Sequence, residues 1–107
     1  MTQSMAQTVI TPEIKEVLTQ SPFIALTSVS QAGQPHLVVV GKVKEIAAGN
    51  VLIFGVYKMN KTRQNLAETG LLQAVAVSGK SGYRFAGNAS SSETEVRFQV
   101  AEIEPLL

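Results

Sequence analysis

"FIALTSVSQAGQPHLVVV", residues 23–40, holds two β-rich runs on either side of Ser30-Gln31-Ala32-Gly33. The first run carries β-branched and aromatic residues and the middle carries turn chemistry. The valines after Pro35 resume the β pattern, so the stretch predicts an antiparallel hairpin. The second run continues to about Ile46 and reads as one long strand. Leu37, Val39, Gly41 and Val43 share one face of it, and His36, Val38, Val40, Lys42 and Lys44 share the other. That second face starts apolar and turns basic, as a strand does on leaving a core for solvent. Gly41 in mid-strand marks a bulge, a bend or a close approach by something else.

Elements on either side extend the pattern. Thr11 and Pro12 read as a cap and a first-turn proline, Glu13 suits the helix dipole, and Ile14, Val17 and Leu18 recur at helical spacing. Ser21-Pro22 ends that helix, predicted over 12–20. Ala47-Ala48-Gly49-Asn50 turns the chain into a short buried strand, Val51–Val56. Asn60 reads as the cap of a second helix, 63–68, with Gly70 at the C′ position. Strands are predicted over 71–78 and 83–89, and Ser90–Glu95 as a polar loop. Val96, Phe98 and Val100 alternate with Glu95, Arg97 and Gln99, the pattern of a half-exposed strand. The sum is a mainly β chain of six strands and two short helices. Hairpin-length turns make the sheet antiparallel, and closure into a barrel would remove bare edges.

The 107 residues predict a single domain over 1–107, with 1–10 as an N-terminal arm. Apolar residues make up 45% and charged residues 16%, a low charge that favours a second subunit covering weakly polar surface. Nine Lys and Arg against eight Asp and Glu leave +1, too small a basic excess for a general nucleic-acid binder. The chain has no cysteine and one histidine, which excludes disulfides, thiolate metal sites and a histidine-rich metal cage. Residues 1–10 lack the basic start and apolar run of a signal peptide, and no apolar run reaches the ~20 residues of a membrane span. A cytoplasmic location is expected.

The most specific chemical signal is "KMNKTRQNLAETG", residues 58–70. A helix start presents unpaired N–H groups and the positive end of the macrodipole, and so attracts anions. Lys61 adds a charge and Thr62 a hydroxyl donor, with Lys58 and Arg63 nearby. Solvated charges are the plainer reading. Against it, cations at this end of a helix oppose the dipole by a few tenths of a kcal/mol or more unless an anion offsets them. His36 has no cysteine partner and no Ser-His-Asp arrangement around it, so a structural or exposed role is the simpler one. "GYRFAG", 82–87, is faintly like an RNA-binding aromatic strand, but the βαββαβ order is missing and Tyr83 and Phe85 read as core.

Taken together, residues 23–40, "VLIFGVYKMNKTRQNL" (51–66) and "GYRFAGNA" (82–89) resemble the FMN-binding split barrel of the pyridoxamine 5′-phosphate oxidase-like superfamily. Small bacterial FMN-binding proteins are the most similar in size and in "KMNKT". The resemblance covers about residues 12–90. It implies a homodimer with FMN at the subunit interface. By it Lys61 and Thr62 would hold the phosphate, agreeing with the anion reading. Val38, Val39, Val40 and Gly41 would run beside the isoalloxazine. Phe54, Gly55, Val56 and Tyr57 would give main-chain contacts to the ring and ribityl chain, and Gly82 would reach in from the neighbouring subunit.

Departures from the family pattern limit what carries over. Val39, Val40 and Gly41 replace polar and aromatic side chains, so hydrogen bonds to a ring must come largely from backbone, where preorganised donors stabilise charge on a reduced flavin. The chain has no tryptophan to cover a flavin, the helix before the last strand is replaced by "SSSETE", and a C-terminal substrate-binding extension is missing. Pyridoxamine phosphate oxidation is therefore not expected. Two functional classes stay open. One is an FMN-binding redox protein, either an electron carrier or flavin reductase-like. The other, motivated by the three consecutive valines at 38–40, is a ligand-sensing or interaction module with weak or lost flavin binding. Nucleic-acid binding is disfavoured by the charge balance and by only six aromatic residues.

Overall fold

A computed structural model describes residues 9–107 as two helices and seven strands. The expected arm lies outside the described residues apart from its last two, of which Ile10 packs on the core and donates its N–H to Asn50 Oδ1 at 3.0 Å. Helix α1, Pro12–Gln20, begins as its sequence demands: the Thr11 hydroxyl accepts from the Ile14 N–H and Glu13 sits in the first turn. It buries Ile14, Val17 and Leu18 and ends where the Ser21 N–H bonds the Val17 carbonyl. The Ser21 hydroxyl donates to the Val77 carbonyl at 2.9 Å, pinning that end to the sheet.

The strands are β1 (Ile24–Val29), β2 (Pro35–Val40), β3 (Glu45–Ala47), β4 (Val51–Phe54), β5 (Leu71–Ser78), β6 (Ser81–Ser91) and β7 (Val96–Pro105), with helix α2 (Asn60–Thr69) before β5. All pair antiparallel, in the order β2-β1-β5-β6-β7-β4-β3. The hairpin read from residues 23–40 is present, with Ile24 opposite Val40 and Val29 opposite Pro35. Seven strands replace the expected six because the run 34–46 is two strands. It leaves β1 at Val40, bends through Gly41–Lys44 and rejoins the sheet at its far end, where β3 pairs with β4.

That short connector forces the sheet to curl. A flat sheet would put six strand spacings of ~4.8 Å, about 29 Å, between β2 and β3. Five extended residue steps from Val40 to Glu45 reach no further than ~18 Å. The sheet therefore wraps around one core, to which β1 gives Ile24 and Leu26, β4 gives Leu52 and Phe54, β6 gives Phe85, and β7 gives Val96 and Phe98. The edges β2 and β3 form the seam.

Strand β6 is longer than expected and takes in Gly82 and Ser90-Ser91. The polar turn after it is tight, with the Ser92 hydroxyl accepting from the N–H groups of Thr94 and Glu95 at 3.2 Å each. Pairing of β6 with β7 slips by one residue at Ala86/Gly87: Gly87 faces Val100, Ala86 faces Glu102, and Ala101 is left over as a bulge. Gly87 fits this bulge because it has no side chain. A Cβ there would collide with the Gln99 carbonyl oxygen and lie 2.9 Å from the Ala101 nitrogen. Gly87→Ala should lower stability by about 1–3 kcal/mol, read as a lower denaturant midpoint at unchanged m.

Candidate functional site

Six of the sequence-predicted residues converge at the seam, and Lys61 and Thr62 are not among the residues lining its cavity. Val39, Val40 and Gly41, at the end of β2, line a cavity of about 230 Å³ with Phe54, Gly55 and Tyr57 from the end of β4 and the loop beyond it. Lys42 and Met59 complete the wall. These two were missed in the sequence. Lys42 reads as a solvent-facing strand residue until the bend at Gly41 is known, and Met59 is buried with nothing in its neighbours to signal it. Val38 and Val56 do not line the cavity; both pack against the core beneath it. Gly82 lies elsewhere, on the outer face of β6 opposite Val77, with Leu107 packed over it.

Met59 links the cavity to α2, because it is both a wall residue and the N-cap. Asn60, expected as the cap, is instead the first helical residue, and no side chain caps the helix. No acid occupies its first turn, where Lys61 and Arg63 sit. The residue before the cap, Lys58, has φ of 54°, a left-handed value that an L residue rarely adopts, and its ammonium stands 5.4 Å from the centre of the Tyr57 ring.

Two donors at this helix start lack partners among the described residues. Thr62 is 1% exposed with its hydroxyl unbonded, and the Arg63 Nε is likewise buried and unbonded. Leaving such a group unmet costs ~1–3 kcal/mol. Thr62 was expected to face the space ahead of the helix; it is buried because α2 lies against the sheet, whereas Lys61 is exposed. Asn65, fully buried, donates to the Ser28 hydroxyl on β1 at 3.0 Å, and the Thr69 hydroxyl donates to the Val29 carbonyl at 3.0 Å. One turn of α2 is thus fastened to the predicted hairpin. Glu68 adds a surface link, accepting from the Gln31 N–H at 2.9 Å. That bond, followed by Gln64, holds the Glu68 carboxyl below its ordinary range.

His36, on the partly buried face of β2 opposite Ser28, is not among the cavity-lining residues. Among the described residues there is no group of three metal-ligating side chains and no helix long and apolar enough to cross a membrane. A larger hollow of about 420 Å³ lies on the outer sheet surface between Thr27, Gln73, Ala86 and Glu102, away from the helix start.

The same architecture occurs in solved structures. HupZ from Group A Streptococcus superposes with a TM-score of 0.79 at 19% identity, over 92% of this chain and 94% of that one. An FMN-binding protein from Syntrophomonas wolfei subsp. wolfei gives 0.70 at 15% identity, over 87% and 88%. HutZ, the heme storage protein from Vibrio cholerae, gives 0.58 at 12% identity, over 86% and 89%. Likenesses at these identities establish the fold. No curated protein matches the chain. Residues 10–105, however, match the model of the pyridoxamine 5′-phosphate oxidase family, and the chain belongs to that family.

Proposed function

We propose that the chain binds FMN at the seam and serves redox chemistry, as an electron carrier or a flavin reductase-like protein. The observation that carries this reading is the uncapped start of α2, which leaves buried donors unbonded and whose N-cap residue, Met59, stands in the wall of a cavity formed by strand ends. Helix α1 shows how this chain caps a helix with its own side chains. Helix α2 has cations where a carboxylate would normally sit, and a phosphate there would meet both the dipole and the Lys61 ammonium. The backbone of Val39–Gly41 and Phe54–Tyr57 would take the ring. Bound flavin would supply the electron chemistry, and the chain would supply position, desolvation and fixed dipoles. The cavity lining carries no histidine, and cysteine is absent from the chain, so Met59 and Tyr57 are the nearest candidates to ligate a haem iron there.

A cavity of 230 Å³ is smaller than the ~300–1,000 Å³ usual for ligand sites, which supports a homodimer whose second subunit closes it. The outer sheet face beside the cavity suits that role. Register aligns Val39, Ala25 and Val75 in one row across β2, β1 and β5, and Leu37, Thr27 and Gln73 in the next. Leu37 and Val39 are 61% and 59% exposed, with Phe23 and Leu71 also exposed on strand ends nearby. Exposed apolar side chains grouped on one sheet face support its use as an interaction surface. Leu37→Glu should convert a dimer to a monomer in light scattering without changing the far-UV circular dichroism; an unchanged mass would remove this face from the interface.

Purified protein mixed with FMN should show flavin absorption that travels with the protein and is released on denaturation. Protein that stays colourless would leave the ligand-sensing alternative. Lys61→Ala should weaken FMN binding by about 2 kcal/mol, roughly thirtyfold, as for a lost charge-assisted bond. Thr62→Val separates stability from binding. It removes the unbonded hydroxyl, so the FMN-free protein should gain about 1 kcal/mol while FMN binding weakens. A variant destabilised in the FMN-free state would show that the hydroxyl already has a partner.

A further inference from the structure

Three lysines converge in a cleft that the flavin reading does not use. Lys15 of α1 and Lys42 and Lys44 of the connector line a cavity of about 230 Å³ together with Thr19, Glu45 and Ile46. A chain of net charge +1 thus commits three of its nine basic side chains to one place. The ion pairs among the described residues are Arg84–Glu104 and Arg97–Glu95; Glu45, the one carboxylate on the wall, is within ion-pair distance of none of the three lysines.

Lys42 is held in place. Its ammonium donates to the Thr19 carbonyl at 3.0 Å and the Ser21 carbonyl at 3.4 Å, so the carbonyl end of α1 fixes its position and meets part of its charge. That leaves Lys15 and Lys44 as the cleft's unbonded ammonium groups among the described residues. An anion in the cleft would meet the positive charge of Lys15 and Lys44. The cleft also runs on. A second cavity of about 220 Å³ shares Lys15 and Ile46 with it and is bounded by the turn Ala47–Asn50. There is room beyond a single phosphate. In the other direction, Lys42 is shared with the seam cavity.

We propose that this lysine cleft, between α1 and the β2–β3 connector, binds the diphosphate group of a small ligand, separately from the start of α2. It does not depend on flavin being the occupant of the seam. The test titrates inorganic pyrophosphate and ADP into Lys61→Ala protein, whose α2 site is disabled, by calorimetry and amide NMR. Saturable binding is expected, with shifts at residues 15–19 and 42–50. It should weaken at least tenfold in Lys15→Gln/Lys44→Gln and return in Lys15→Arg/Lys44→Arg. Tighter binding of ADP than of pyrophosphate points to a nucleotide, and equal binding to the diphosphate alone; either supports the site. No saturable binding, or equal binding by the double Gln variant, overturns it. With Lys61 intact, the double Gln variant should take up FMN like the wild type. Failure of the wild type to bind FMN would count against the flavin reading alone.

Discussion

The structure depends on a mismatch of lengths. Seven strands laid flat are wider than the four residues Gly41–Lys44 can span, so the two edge strands are drawn toward each other and the sheet closes on its own apolar face. Closure places the end of β2 beside the end of β4, and a cavity that reaches the N-cap of α2 opens between them. The site is thus a by-product of how the sheet is tied. No residue that lines it has to be chemically unusual, and most are valine, glycine or aromatic.

Helix α2 completes the arrangement by being fastened at one end and left open at the other. Asn65 and Thr69 bond the hairpin strand β1 in the middle and last turns, while the first turn has no cap and keeps two buried donors unmet. Local strain of this kind is tolerated where the surrounding packing over-determines it. Here the packing is Leu66 and Met59 sunk in the core on either side of that turn.

Much of this was legible in the sequence. The hairpin at 23–40 was fixed by SQAG between two β-rich runs, and α1 by Thr11-Pro12-Glu13. Six of the residues assigned to a ring pocket, Val39, Val40, Gly41, Phe54, Gly55 and Tyr57, do share one cavity. What stayed hidden depends on long-range pairing. Gly41 signalled a bend, but only the pairing of β3 with β4 shows that the strand crosses the seam. Asn60 has the ideal chemistry for a cap, yet the left-handed Lys58 starts the helix one residue earlier. The burial of Thr62 follows from how α2 docks, which no local pattern encodes.

The leftover residue at Ala101 resets the alternation of the last strand. Before it, Val96, Phe98 and Val100 point inward at even positions; after it, Ile103 does so at an odd one. A strict two-residue rhythm would have turned Ile103 outward and Glu102 inward. One surplus amino acid therefore acts as a phase shift, letting a single ten-residue strand follow the curvature of the wall while keeping its oily side in register throughout. Loss of that surplus position would leave the isoleucine still facing inward in an unbroken two-residue rhythm, making this the spot in β7 best able to give up a residue.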